Sequence, residues 1–325
     1  MDQLPFVFME RVVSLLNTEL DDIHDLFSPA GRLWKTAAAE LKSNYHFVKV
    51  FISPETNSMS VTKESPCQVE VELFEEPNQY TLDLALRITD QDDKSPKAEP
   101  EPITEKRLKQ IARLPSKGGY WSEFVVKDLP PRGNEVFDFG GLLRNIQASF
   151  AKVSMRGCSG YSQEIEEFLR MLIPRRTCGK LFFYHVDLTS TSVELLLDTW
   201  HKCIPFDPRG TSGYPSLELA VSYCSQTPTK TQIARILEGW CEGRGGECLI
   251  TSAVEFRNFD EFCKVFKIEE PNWKVKSVDF HDVGFRSHPQ YDYIIHRQTG
   301  TVIDVCYIGP GRVGVYEVAL TLKRK

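Results

Sequence analysis

The feature that most constrains this chain is a recurring pair of patterns in its second half: a short apolar run, then a helix with one apolar stripe. The stripes are Ile165/Phe168/Leu169/Leu172, Val193/Leu196/Leu197/Trp200, Ile233/Ile236/Leu237/Trp240 and Phe259/Phe262/Cys263/Phe266. Each repeats at i, i+3, i+4, i+7, so each helix covers a core from one side only. Apolar runs precede them at Lys152–Met155, Leu181–Val186, Leu217–Tyr223 and Leu249–Phe256. Helix starts carry cap chemistry: Thr191-x-x-Glu194 and Asn258-x-x-Glu261 resemble capping boxes, and Pro228 suits a first helical position. Successive stripes begin 28, 40 and 26 residues apart. That rhythm predicts β–α units stacked as an irregular, leucine-rich-repeat-like solenoid over 151–325, with the strand-rich stretch Val275–Leu322 as a C-terminal cap. The strict L-x-x-L-x-L-x-x-N signature is missing from the sequence, so a conventional α/β domain with evenly spaced strands is the competing reading.

Before that half, the period changes twice. Residues 1–43 hold three short amphipathic stretches: Phe8/Val12/Leu15/Leu16 after Leu4-Pro5, Leu20–Phe27 ending at Ser28-Pro29, and Leu33/Trp34/Ala38/Leu41. Three short helices bury little surface alone, so such a unit needs a partner. It could also be a helical cap on this chain's own sheet. From Tyr45 the period is two, and His46–Ser53, Gln68–Phe74 and Tyr80–Ile88 alternate as half-buried antiparallel strands do. The stretch 89–117, containing DQDDKSPKAEPEP, is poor in aromatics and predicts a loop that is mobile over most of its length. The expected organisation is therefore α+β to α/β in three parts: 1–43 helical, 44–150 antiparallel β with the loop 89–117, and 151–325 repetitive.

Composition narrows the function. The formal charge of −6 over 325 residues argues against general binding to nucleic acid or anionic membranes. No apolar run reaches the roughly 20 residues of a membrane span, and MDQLPFVFME lacks the basic start and cleavage site of a signal peptide. Nine cysteines, an odd number, then favour reduced thiols in a cytoplasmic or nuclear setting.

The chemistry-bearing motifs do not converge. Gly309-Pro-Gly311-Arg-Val-Gly314 has the letters of a dinucleotide loop, but Val313–Leu322 reads as strand and not as helix, so a hairpin turn is expected. The glycines of Glu242–Glu247 come after a helix end, where glycine caps. Gly157-Cys158-Ser159-Gly160 is not a nucleophile elbow, and the nearest cysteines, Cys241 and Cys248, lack zinc-ligand spacing. None of the seven histidines forms a metal-type pair; His185 and Asp187 lie two apart on one strand and share a face. The expectation is no catalytic residue, no metal and no cofactor.

The opening residues carry a resemblance. Leu4-Pro5, the apolar helix Phe8/Val12/Leu15/Leu16, Leu26 and then Leu33-Trp34 with Leu41 resemble an F-box, closest to the divergent F-box-like N-termini of large nematode families. The layout after Tyr45 is similar to nematode F-box-associated regions. The resemblance implies a three-helix unit that docks on a Skp-family adaptor through Leu4, Pro5, Phe8, Val12, Leu15, Leu16, Leu26 and Trp34, and through it on a cullin-RING ubiquitin ligase. The body would then capture an unidentified target protein, with His185, Asp187, Gln226 and Arg257 on loops after the strands, and Tyr291 and Tyr293 in the cap. The alternative is an interaction scaffold that recruits no ligase.

Overall fold

The computed structural model describes residues 36, 45–64, 81–89, 100–114, 116, 122–130, 132, 138–175, 178–202, 217–242, 244–253, 264–265, 273–278, 290–296, 302–308 and 317–323. The chain divides into two compact units, Met1–Ser154 with Met171–Cys178, and Met155–Arg170 with Gly179–Lys325. The three-helix unit expected over 1–43 lies, apart from Thr36, outside the described residues.

In the first unit, strands β1 (Tyr45–Ser53) and β2 (Ser58–Glu64) form a hairpin. Its turn closes with the Asn57 N–H donating to Pro54 O at 3.3 Å, and Asn57 takes φ +49°, which asparagine tolerates. Strand β3 (Thr81–Ile88) then lies on the other side of β1 and runs parallel to it, with Val50 opposite Leu86. A two-residue strand β4 (Glu101–Pro102) pairs with β2. Helix α1 (Glu105–Ala112) comes next, and β5 (Glu123–Lys127) pairs parallel with β3. Helix α2 (Phe139–Asn145) packs against α1.

Two expectations are corrected here. The segment 44–150 is not an antiparallel sheet, because β1, β3 and β5 are parallel. Alternation is present, since β1 buries His46, Val48, Val50 and Ile52 between less covered neighbours. Alternation reports that one face is less covered and carries no information on direction. Direction comes from the connection: four residues return β1 as an antiparallel hairpin, whereas the long segment from Glu64 to Thr81 permits a crossover. Strands β3 and β5 show the parallel signature, consecutive buried residues at Asp83–Leu86 and Phe124–Val126. The second correction is α1, which falls within 89–117. Thr104 caps it by accepting the Arg107 N–H at 3.2 Å, and Leu108, Ile111 and Ala112 are buried. Three buried residues on one stripe outweigh a polar composition.

The second unit holds the β–α alternation. The division between units falls within β6 (Lys152–Cys158). Then come α3 (Ser162–Leu172), β7 (Lys180–Val186), α4 (Ser190–Lys202), β8 (Glu218–Ser222), α5 (Lys230–Cys241) and β9 (Cys248–Ala253). Strands β7, β8 and β9 pair in parallel, in chain order. The stripes of α3, α4 and α5 are buried as their spacing requires; the fourth stripe, 259–266, lies outside the described side chains except for exposed Lys264 and Val265. Strands β10 (Trp273–Val278), β11 (Gln290–His296), β12 (Val302–Ile308) and β13 (Glu317–Lys323) form an antiparallel meander. Its last strand pairs with β9, Leu320 opposite Ile250.

This architecture overturns the leucine-rich-repeat-like solenoid. The protein is α/β, with the helix-linked strands parallel in both units, and the C-terminal strands extend the sheet at β9 instead of closing a stack. The cap residues also differ. Thr189, not Thr191, accepts the first free N–H of α4, from Ser192 at 3.0 Å. Pro228 is not the first helical position of α5: Thr229 caps the helix, in a capping box with Gln232, and Lys230 opens it, so the preceding Thr227 is not the cap. Both helices start where a side-chain oxygen faces an N–H three residues on, a relation several nearby threonines satisfy on paper.

Trp200 of α4 and Trp240 of α5 stack with centroids 6.3 Å apart, both almost wholly buried. The glycine run after α5 serves this pair. Gly245 takes φ +71°, and a Cβ there would lie 2.4 Å from the Trp200 indole. The Trp200 Nε1–H donates to Gly246 O at 3.1 Å. Those glycines let the backbone pass over a tryptophan.

Candidate functional site

Four strands end in the same way. Apolar residues are buried at i, i+2 and i+5: Phe124, Val126 and Leu129; Val153, Met155 and Cys158; Leu181, Phe183 and Val186; Leu219, Val221 and Cys224. In every case residue i+4 has positive φ: Asp128 (+52°), Gly157 (+63°), His185 (+51°) and Tyr223 (+53°). The left-handed residue breaks the two-residue period. It turns its own side chain out and returns the next one to the core.

Within the second unit the ladder continues past the break. The Asp187 N–H donates to Cys158 O at 3.0 Å and the Ser225 N–H to Val186 O at 3.1 Å. Ser225 Oγ donates to Leu188 O at 3.1 Å and accepts the Leu188 N–H at 3.0 Å. Asp187 Oδ2 accepts the Gly160 N–H at 2.7 Å. The Cys224 thiol faces the carbonyls of Phe183 and Ser222, 3.6 and 3.5 Å away. These bonds hold the ends of β6, β7 and β8 in one rigid row. On that row the rings of His185 and Tyr223 stack, centroids 5.1 Å apart and planes 10° apart. Tyr223 is 50% exposed, although large apolar surface is normally covered.

Of the residues expected to meet a target, His185 and Gln226 are exposed and Asp187 is half-buried, all at this row. His185 and Asp187 do not share a strand face, because the left-handed turn at His185 intervenes. Arg257 lies outside the described residues, as do the side chains of Tyr291 and Tyr293. Leu4, Pro5, Phe8, Val12, Leu15, Leu16, Leu26 and Trp34 lie outside them as well. Tyr223 is the member of the row that sequence reasoning missed. The i, i+2, i+5 spacing was its available signal, hidden because Gly, His and Tyr share no chemistry at i+4.

A cleft of about 310 Å³ lies between α4 and α5, lined by Glu194, Leu197, Asp198, His201, Gln232, Arg235 and Ile236. An ion pair, Arg235 Nη1 to Asp198 Oδ1 at 3.0 Å, spans it. His201 meets Arg244 through Nε2 at 3.2 Å. Burial and then the charges of Arg235 and Arg244 lower its pKa, against weaker opposition from Glu242 and Asp198.

The described residues contain no group of three metal-capable side chains. Burial raises the thiols of Cys224 and Cys248, and that of Cys241 to about 11 with Glu242 and Glu238 adding to it, so these three stay protonated at neutral pH. The buried hydroxyl of Ser122 donates to Asp83 Oδ1 and meets Ser116 Oγ, both at 2.8 Å, and tethers the start of β5 to β3. Gly309–Gly314 lies outside the described residues, and the elements flanking it, β12 and β13, are antiparallel strands. No helix among the described residues is long and apolar enough to cross a membrane. In comparisons with protein-family models, curated proteins and solved structures, nothing matches this chain.

Proposed function

We propose that this chain is a non-enzymatic substrate receptor of a cullin-RING ubiquitin ligase, active in the cytoplasm or nucleus. Its F-box-like N-terminal residues engage a Skp-family adaptor, and the row of strand ends captures the target protein. The observation that carries the reading is the N-terminal pattern, Leu4-Pro5 followed by Phe8/Val12/Leu15/Leu16, Leu26 and Leu33-Trp34. The row at β7 and β8 supports it, since a rigid line of outward side chains with protonated thiols beneath suits binding and not turnover. Ubiquitin transfer belongs to other subunits.

The test is calorimetry of the intact protein with a purified Skp-family adaptor. Leu4→Ala and Pro5→Ala should each weaken binding by about 2 kcal/mol or more, as central anchors do. A folded protein that gives no heat with the adaptor would overturn the proposal.

A further inference from the structure

The left-handed positions that end β5, β6, β7 and β8 carry Asp128, Gly157, His185 and Tyr223. Glycine adopts this backbone freely, aspartate and histidine tolerate it, and the bulky ring of Tyr223 there is a true outlier. The two bulky residues sit on neighbouring strands and stack on each other at 5.1 Å. They do not fill the core, because Val186 and Cys224, the residues after them, do so. Backbone strain kept at Tyr223 for the sake of an exposed ring that stacks on His185 points to a binding role.

The surroundings indicate what binds. Asp187, two residues beyond His185, is half-buried and held by the Gly160 N–H through Oδ2. The whole chain carries a formal charge of −6. The geometry points to an arginine-recognition site formed by the stacked rings of His185 and Tyr223, with Asp187 on the same row of strand ends, whose ligand is a basic, extended segment of a partner protein. A guanidinium stacks on an exposed ring, and an aspartate meets its charge. Lysine, a compact and strongly hydrated charge, stacks less well, and an acidic segment is repelled. The inference rests on reading the strand-end row as the capture surface; it does not depend on the adaptor.

The experiment titrates the full chain into a fluorescent peptide of alternating arginine and glycine, with lysine and citrulline counterparts, by anisotropy. The arginine peptide should bind most tightly, the lysine peptide less, and the citrulline peptide least. Tyr223→Gly and His185→Gly should each weaken the arginine peptide by about two- to fivefold, the range of exposed cation–π contacts. Neither should lower the melting temperature, since glycine relieves the φ of +53° or +51°. Asp187→Asn keeps an acceptor for Gly160 and should weaken binding while flattening its salt dependence. Equal binding of arginine and citrulline peptides, preference for a proline-rich control, or unchanged affinity in both glycine variants would overturn the proposal. So would glycine variants that lose stability and bind normally, because the rings would then serve packing. Adaptor binding is measured on the same samples. Its loss with arginine binding intact sinks only the ligase reading, and the converse sinks only this one.

Discussion

At the scale of single residues, glycine and histidine placements decide the most. Gly245 combines positive φ with a close approach to Trp200. Gly245→Ala therefore adds the left-handed penalty to an overpacking penalty, about 2–4 kcal/mol together. Urea unfolding should show that loss, and a change below about 1 kcal/mol would mean the Trp200 contact is not made. His201 gives a pH signature. Its folded pKa lies below the ordinary 6.5, so folding favours the neutral ring. Its stabilising contribution is complete above the unfolded value and is lost as pH falls through 6.5 toward the folded value. The urea midpoint should drop between neutral and mildly acidic pH, and His201→Asn should reduce the slope. His46 shares the direction, through burial and Lys63, so part of the slope should survive the substitution. An unchanged slope would remove His201 from the account.

At the scale of elements, the helices were legible because an apolar stripe is a local pattern. Ile165, Val193 and Ile233 mark α3, α4 and α5 without tertiary knowledge. Their starts were not, because Thr189 and Thr191, or Thr227 and Thr229, offer nearly equal caps in sequence. The Thr189 cap is also tied outward. Its hydroxyl donates to Glu166 Oε2 at 2.5 Å, and Glu166 in turn pairs with Arg170 at 2.8 Å. The Thr189 bond, then Arg170, lowers the Glu166 pKa. Thr229→Ala should cost about 1 kcal/mol, a cap alone. Thr189→Ala should cost about 2 kcal/mol, a cap plus a bond to a carboxylate. Equal losses in thermal unfolding would mean the Glu166 contact contributes nothing. Helix α1 shows the opposite failure: polar composition over 89–117 hid a stripe of Leu108, Ile111 and Ala112 too short to stand out.

At the scale of the whole molecule, the proposed adaptor contact and the proposed capture row fall in separate stretches of the sequence. Deleting residues 1–43 should abolish adaptor binding and leave arginine-peptide binding within about twofold, measured by pull-down and anisotropy, since the strand-end row carries its own bonds. Loss of both would mean the N-terminal residues support the row itself. Local periodicity was enough to read the β–α order from Lys152 to Ala253, the buried helix stripes and a strand-rich end. It also placed Asp187 and Gln226 on the segments after strands, whereas His185 lies within β7. Strand direction came from the folded chain, because a period of two is the same for parallel and antiparallel partners, and the crossover between β2 and β3 is not written in either strand. Folding likewise joined β13 to β9, two strands far apart in the chain with β10, β11 and β12 between them. And it brought His185 beside Tyr223, since two left-handed residues on separate strands meet only when β7 and β8 align in register.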